Sequence, residues 1–520
     1  MPPRIKDDVV SDRNCSSHSI EINKQDPETK AWLFDDALQF IGFGKVQIMC
    51  IFICGLILSA VINETMGMMM IITPSQCDLQ LSSTAKGMVS STGFIGIMIP
   101  AYMWGYLADT KGRKKIMLFS LFCSNVAAVC SSVAPTFTVF LICRFVVGFF
   151  VSAASSSVYA YLGEFHINKH RSTVIAWASM SVGISALYIP AIAWLILSND
   201  FRLPLFGAMD FRPWRLLLLA YTLPGFCAAL MLTRFKESPR YFMAQGREED
   251  ALKVLQWMYV KNRKENVEFY PVKKLISEIE REQVTGKAAK GFTQIVKSMW
   301  DQTQPLLKKP LVIFLAINCY MMFAVFFASG GIGIWFADLQ NTVSTSNISG
   351  TVCQLINYHP PHTNETIEAD ESCVDTIPTK VYIDSLILGT YYTVAVFIIA
   401  FIIRRVGRGY ILAFGLFVSG ICGLSLLWLE DPMITLTAFS IFIVNAGVSI
   451  SVISNGVVAL FPTKVRAMAV CIILMCGRLG TTVGSNIVGV FIESNCEATF
   501  AFFSIVVLVA ACLNFFLPFR

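Results

Sequence analysis

The stretch Gly105-Tyr-Leu-Ala-Asp109-Thr-Lys-Gly112-Arg113-Lys114-Lys115 joins two long apolar runs, Gly87–Leu107 and Ile116–Val133. Each run is long enough to cross the roughly 30 Å hydrocarbon core of a bilayer, so the short link makes a tight hairpin of membrane helices. Its parts have separate tasks. Gly105 lets the helices approach, Asp109 caps or pairs, and Gly112 permits the turn. Arg113, Lys114 and Lys115 hold the link on the cytoplasmic side. A soluble fold has little use for that combination, and the chain reads as a polytopic membrane protein.

The composition agrees. Of 520 residues, 55% are hydrophobic and only 15% are charged, with a mean hydropathy of +0.61; a soluble domain carries about 25% charged residues. Spanning windows fall near 46–73, 87–107, 116–134, 136–162, 172–198, 214–233, 311–336, 381–403, 410–429, 434–460, 467–492 and 498–518. The fold class is therefore all-α, with twelve transmembrane helices. The formal charge of +6 needs no nucleic acid to explain it, because Lys and Arg collect in loops 108–115, 234–310, 404–409 and 461–466. Those loops are assigned to the inside, which puts both termini in the cytoplasm. Residues 1–45 are polar and lack an apolar core, so they read as a disordered cytoplasmic tail, not a cleaved signal peptide.

Residues 234–310 form a charged linker whose part Pro239–Lys261 has helical spacing at Tyr241, Ala251, Leu252, Leu255 and Met258. It is expected to lie as an amphipathic helix against the base of the membrane bundle. Residues 338–379 form the one large outside loop. It holds two glycosylation acceptors, Asn347-Ile-Ser349 and Asn364-Glu-Thr366. Of sixteen cysteines, only Cys77, Cys353, Cys373 and Cys496 fall in outside loops, and Cys353 is expected to bond Cys373.

The chain also repeats. Gly112-Arg113 closes the second span and Gly407-Arg408 the eighth; Arg171 follows the fourth and Arg466 the tenth, both pairs 295 residues apart. A constant offset across the linker implies two homologous six-helix halves, at 46–233 and 311–520, the arrangement that rocks around a central site.

These residues carry a family resemblance. The hairpin Gly105–Lys115 resembles the loop motif of the major facilitator superfamily. Tyr161-Leu-Gly-Glu164 with Arg171, Leu460-Phe461-Pro462-Thr463 with Arg466, and Lys236-Glu237-Ser238-Pro239-Arg240 resemble motifs of its sugar-porter and organic-ion branches. Phe43-Gly44-Lys45-Val46-Gln47, Pro74-Ser75-Gln76-Cys77-Asp78-Leu79, Lys86-Gly87, Trp214-Arg215 and Ile334-Trp335-Phe336 are similar to the synaptic vesicle glycoprotein 2 family, in an insect-type form with a short outside loop. The resemblance implies the major facilitator fold. It also implies gating or coupling roles for Asp109, Arg113, Arg144, Glu164, Arg171, Glu237, Arg240, Arg408 and Arg466. In the outward-facing state Arg113 is expected to meet Glu164 beneath helix 4, with Glu237 and Arg240 clamping the base of the first bundle. The sequence departs from the pattern at Ala459, where an acid is expected, and at Arg404, the repeat partner of Asp109.

Charges at membrane depth are costly and mark function. Glu64 in helix 1 and Arg478 in helix 11 are expected to face each other as anchors of a substrate or proton site, and Arg478 also resembles an arginine of helix 11 in organic-ion transporters. Tyr159, Trp177, Trp335, Tyr391, Asn445 and Asn455 join them as cavity-lining candidates, with Tyr188, Tyr320 and Tyr392 as further aromatics. No spacing suits a metal or a nucleotide phosphate, so no cofactor is expected. The reading is a monomeric secondary transporter, not an enzyme. It moves a small organic solute, charged in one version, with a proton or sodium ion, across the plasma membrane or a secretory vesicle membrane. The alternative is a non-transporting vesicle glycoprotein of the same fold that acts in trafficking.

Overall fold

The computed structural model describes residues 31–205, 209–276, 303–345, 350–356, 377–461 and 463–517. Spans 1 (Lys45–Met66), 3 (Arg113–Ser132), 4 (Phe137–Glu164), 5 (Asn168–Leu197) and 6 (Pro213–Thr233) belong to the first half. Spans 7 (Leu311–Phe326, continued below), 8 (Thr379–Val406), 9 (Arg408–Ser425), 10 (Pro432–Leu460), 11 (Thr463–Phe491) and 12 (Cys496–Leu513) form the second. Among the described residues, eleven helices are long and apolar enough to cross a membrane. The remaining member, span 2, is split into Ser83–Met98 and Ala101–Lys111. Pro100 lies at the split; it has no N–H to donate and its ring crowds the preceding turn. The protein is a multi-pass, all-α membrane protein of two six-helix pseudo-repeats.

Two ends are distinguished here by sequence: the inner end carries the basic turns, and the outer end carries segment 338–379. The halves meet toward the outer end. There the outer piece of span 2 packs on span 11, and span 5 packs on span 8. Close approach requires glycine: a Cβ on Gly389 would sit 2.4 Å from the Ala186 carbonyl, and one on Gly489 2.7 Å from that of Ser83. The inner piece of span 2 packs on spans 3 and 4 of its own half. Span 7 is not a regular helix. A π-helical turn at Phe327–Ile332 and a 3-10 turn at Gly333–Trp335 lead into a further helix, Phe336–Thr345. Asp338 therefore lies in a helix, not in a loop.

Part of the expected tail is ordered. Ala31–Leu33 pairs in parallel with Lys274–Ile276, and Phe34–Ile41 is a helix that buries Phe34, Ala37, Leu38 and Ile41. The linker helices, Pro239–Ala244 and Glu248–Arg263, break at Gly246, whose φ of +70° favours glycine. Ala251, Val254, Leu255 and Met258 are buried in one cluster with Tyr161, Phe165 and Phe235. Asn262 Oδ1 accepts from the Val46 N–H at 2.9 Å, capping span 1 from a distance. The base of the first half is thus one core with the linker and residues 31–41.

At the outer end of the first half, Asp78 accepts from Trp214 Nε1 at 2.9 Å and pairs with Arg212 and Arg215 at 2.9 and 3.5 Å. Arg215 also donates to the carbonyls of Ser132 and Ala134 and lies 4.3 Å from the Trp214 ring. These motif residues knot spans 3 and 6 to the turn after span 1.

The expected Cys353–Cys373 bond is corrected: Cys353 bonds Cys496, with a Cα–Cα distance of 5.5 Å. Cys353 sits on a short helix, Val352–Ile356, that packs against the start of span 12, so proximity in space wins over proximity in sequence. Cys77 is disulfide-bonded as well. Asn347, Asn364 and Cys373 lie outside the described residues. Non-reducing peptide mapping is expected to return a Cys353–Cys496 cross-linked peptide, and both thiols free would contradict this arrangement.

Candidate functional site

Span 1 brings Glu64, and span 4 brings Arg144, to a common level between spans 1, 2 and 4. Both are buried, at 8% and 3% exposure. Glu64 Oε2 accepts from Arg144 Nη2 at 3.0 Å, and Arg144 Nη1 donates to Met68 Sδ at 3.6 Å. Glu64 Oε1 and Arg144 Nε have no partner. The pair lines a small cavity with Thr65, Met68, Ser90 and Gly148. A lone charge here would carry a desolvation cost of several kcal/mol, which the opposite charge largely offsets. The expected Glu64–Arg478 pair is thereby corrected: the carboxylate is bound within its own half.

Arg478 instead reaches across the seam, where its Nη2 donates to Ser155 Oγ of span 4 at 3.3 Å. Among the described residues no carboxylate pairs with it. The flanking glycines do not make room for the side chain. They seat span 11 on span 7, since a Cβ on Gly480 would sit 2.3 Å from the Phe323 carbonyl. Tyr159 lies one turn below Ser155 on span 4, and its hydroxyl accepts from Ser179 of span 5 at 3.3 Å. Tyr392 of span 8 is within electrostatic reach of Tyr159 and packs by Gly447 of span 10. Hydroxyls of spans 4, 5 and 8 therefore gather at Tyr159, one turn along span 4 from the Arg478–Ser155 contact.

The other candidates are placed elsewhere. Trp335 is buried and donates to the carbonyl and Oγ of Ser485, both at 3.2 Å, as part of the outer closure. Tyr391 is exposed, unlike its neighbour Tyr392. Trp177 is exposed and meets the Phe43 ring edge-on at 6.3 Å. Asn445 is half-buried, and Asn455 is exposed near the inner end of span 10. Tyr320 packs on span 12 through the Val506 carbonyl, and Tyr188 on span 6 through that of Ala220.

The inner network is local to the first half. Arg113 pairs with Glu164 at 2.5 Å and with the mostly exposed Asp109 at 3.2 Å. Glu237 accepts from the N–H groups of Lys114 and Ser238 at 2.9 and 3.0 Å, so it neutralises the positive end of span 3. Gly112, at φ +105°, leaves room for that carboxylate, which a Cβ would meet at 2.6 Å. Arg240 pairs with Asp35, and Tyr161 donates to the Lys236 carbonyl. Arg171 lies over Gly163. Burial pushes the His166 pKa down, and the neutral ring donates from Nδ1 to the Leu162 carbonyl at 2.7 Å. The Arg113–Glu164 contact is present while the outer end is closed, so it is not confined to an outward-facing state. Arg408 is half-buried at the start of span 9; the side chain of Arg466 lies outside the described residues.

Sequence reasoning missed Ser155, Lys86 and Asp338. Lys86 was legible as a charge at the edge of an apolar run, while Asp338 was hidden because span 7 seemed to end at 336.

The family described as "Sugar (and other) transporter" matches residues 59–333, more than half of the chain. The chain belongs to that family of membrane transporters. It is similar to synaptic vesicle glycoprotein 2A of Rattus norvegicus, 30% identical over 240 residues, which cover 46% of this chain and 32% of that protein. It is also similar to synaptic vesicle glycoprotein 2B of Homo sapiens, 27% identical over 353 residues, covering 65% and 51%. These matches span between a third and a half of the curated relatives' length. Among solved structures, the partially occluded inward-open xylose transporter XylE from E. coli aligns with a TM-score of 0.64 at 13% identity, covering 92% of this chain and 100% of that one. Its inward-open form aligns at 0.61 and 14% identity, covering 91% and 96%. At such identities the likeness shows the fold.

The geometry predicts which charges depend on each other. Glu64→Ala and Arg144→Ala are each expected to cost about 3–5 kcal/mol by stranding a buried charge, and the double replacement to recover much of it. Arg478→Ala is expected to change the thermal midpoint little, alone or with Glu64→Ala. Thermal unfolding of purified protein checks this; rescue between positions 64 and 478 would contradict it.

Proposed function

We propose that the chain is a proton-coupled carrier of a small organic anion working by alternating access, with Arg478 binding the solute and Glu64 the proton. The observation that carries this is the separate fate of the two charges. Arg144 holds Glu64 inside the first half, which leaves the guanidinium at the seam with a serine hydroxyl and, among the described residues, no carboxylate. A cation between two moving halves lowers its free energy most by taking an anion there; Ser155 supplies a hydroxyl on it, and Tyr159 lies one turn further along span 4. Glu64 has one oxygen on Arg144 and one without a partner among the described residues, in a small cavity between spans 1, 2 and 4. A proton on Glu64 would release Arg144, so protonation changes which contacts the first half can make. A sodium ion would need several oxygens and would sit beside the Arg144 charge, so the proton fits better.

The domains act as two bundles, 46–233 and 311–520, joined by linker 234–310, with both termini and the basic turns cytoplasmic. The similarity to synaptic vesicle glycoproteins supports a vesicle or plasma membrane location. The relation to xylose transporters makes a neutral sugar the comparison solute.

Counterflow in proteoliposomes tests the reading, with labelled benzoate, lactate and nicotinate against xylose and choline. Exchange of monocarboxylates is expected, abolished by Arg478→Gln. Glu64→Gln is expected to keep exchange but lose accumulation driven by an acid-outside gradient. Exchange of xylose or choline that is indifferent to Arg478→Gln overturns the anion site. No flux of any solute favours the non-transporting vesicle protein.

A further inference from the structure

Lys86 stands at the outer end of span 2, and Asp338 in the helix that continues span 7. Lys86 Nζ donates to both carboxylate oxygens of Asp338 at 3.0 Å, and Thr73 Oγ1, from the turn after span 1, donates to Oδ1 at 2.9 Å. The two charged side chains are only 12% and 15% exposed. Two residues of the first half thus converge on one carboxylate of the second. Among the described residues, this is the one ion pair that joins the halves, since the others lie within the first half or within the linker and the N-terminal segment packed beneath it. Ser83, one turn before Lys86, donates to Glu493 just past span 11. The seam below is backbone on backbone: a Cβ on Gly87 would lie 3.1 Å from the Ser485 carbonyl and 3.4 Å from the Asn486 Cα.

We infer that the Lys86–Asp338–Thr73 cluster is a latch that holds the outer entrance shut and sets the resting balance between the two states of the carrier. It rests on the alternating-access reading above, but not on the solute. Span 7 makes such a latch workable. Its inner part is fixed to span 11 through the Gly480–Phe323 and Gly484–Phe327 contacts. The π-helical turn at 327–332 and the 3-10 turn at 333–335 then interrupt the regular ladder between that anchor and Asp338. Irregular turns of this kind mark hinges, because a small change in them redirects the helix beyond. The outer part of span 7 can swing with Asp338 while the inner part stays packed. An ion pair sheltered from water and made in only one state shifts the balance by its whole differential stability. Cutting it leaves the closed state with an unpaired, partly buried charge.

Labelling reads the balance without transport. Asn486→Cys places a thiol at the outer seam, and Cys471, exposed toward the inner end of span 11, is a natural reporter of the inner side. Intact protein in nanodiscs, open to solution on both faces, is treated with a membrane-impermeant maleimide, and both sites are quantified by peptide mass spectrometry. In Lys86→Met and Asp338→Asn, position 486 is expected to label about 5- to 30-fold faster, and Cys471 slower by a similar factor. Thr73→Val, which removes only a hydroxyl, should move both rates the same way by less. The exchange Lys86→Asp with Asp338→Lys should return them toward wild type. If a single variant does not yield monodisperse protein, Thr73→Val and the exchange still decide. Unchanged rates at both sites overturn the latch. So does faster labelling at 486 with Cys471 unaltered, which would mean local fraying, not a switch.

Discussion

Arg144 on Glu64 is the contact from which the rest of the arrangement follows. In a low-dielectric bundle a carboxylate must be near a cation or carry a proton, and Glu64 takes the cation of its own half. That choice makes the first half electrically self-contained at the level of this pair. It also leaves Arg478 without a carboxylate at the seam, so the charge available to a solute is positive. If Glu64 had paired across the seam with Arg478, the two halves would be bolted at their centre. Keeping the pair internal lets the halves part there.

The remaining ties between the halves then divide by level. At the outer end, glycine contacts seat span 2 on span 11, and a sheltered ion pair ties span 2 to the helix that continues span 7. At the inner end, the described ion pairs and helix caps serve the first half. Glu237 caps span 3, Arg113 pairs with Glu164, and Asn262 caps span 1. Residues 31–41 and the linker helices extend this half's core beyond its spans.

Much of the fold was legible in the sequence, because a helix crossing hydrocarbon must be a long apolar run and because the 295-residue offset fixes the two halves. Individual partners were less legible. Glu64 and Arg478 could be recognised as functional by depth, but depth says nothing about which way a side chain points around a helix axis. Arg144 competes for Glu64 at the same level, and only the packing of spans 1 and 4 decides between them. Cys353 found Cys496 for a similar reason: both stand among the cysteines outside the apolar spans, but the pairing depended on where a short helix docks. Residues 31–41 carried no membrane signal, and their order comes from pairing with Lys274–Ile276, a contact over some 240 residues that no local pattern announces.

The central claim is that Glu64 is the group that exchanges a proton while Arg144 holds it in place. Infrared difference spectroscopy of the reconstituted protein, acidified in steps, reports this directly through the carbonyl stretch of a protonated carboxylic acid. The account predicts a band that grows on acidification, is missing in Glu64→Gln, and survives in Arg478→Gln. A band that persists unchanged in Glu64→Gln, or one that never appears in the wild-type protein, would contradict it.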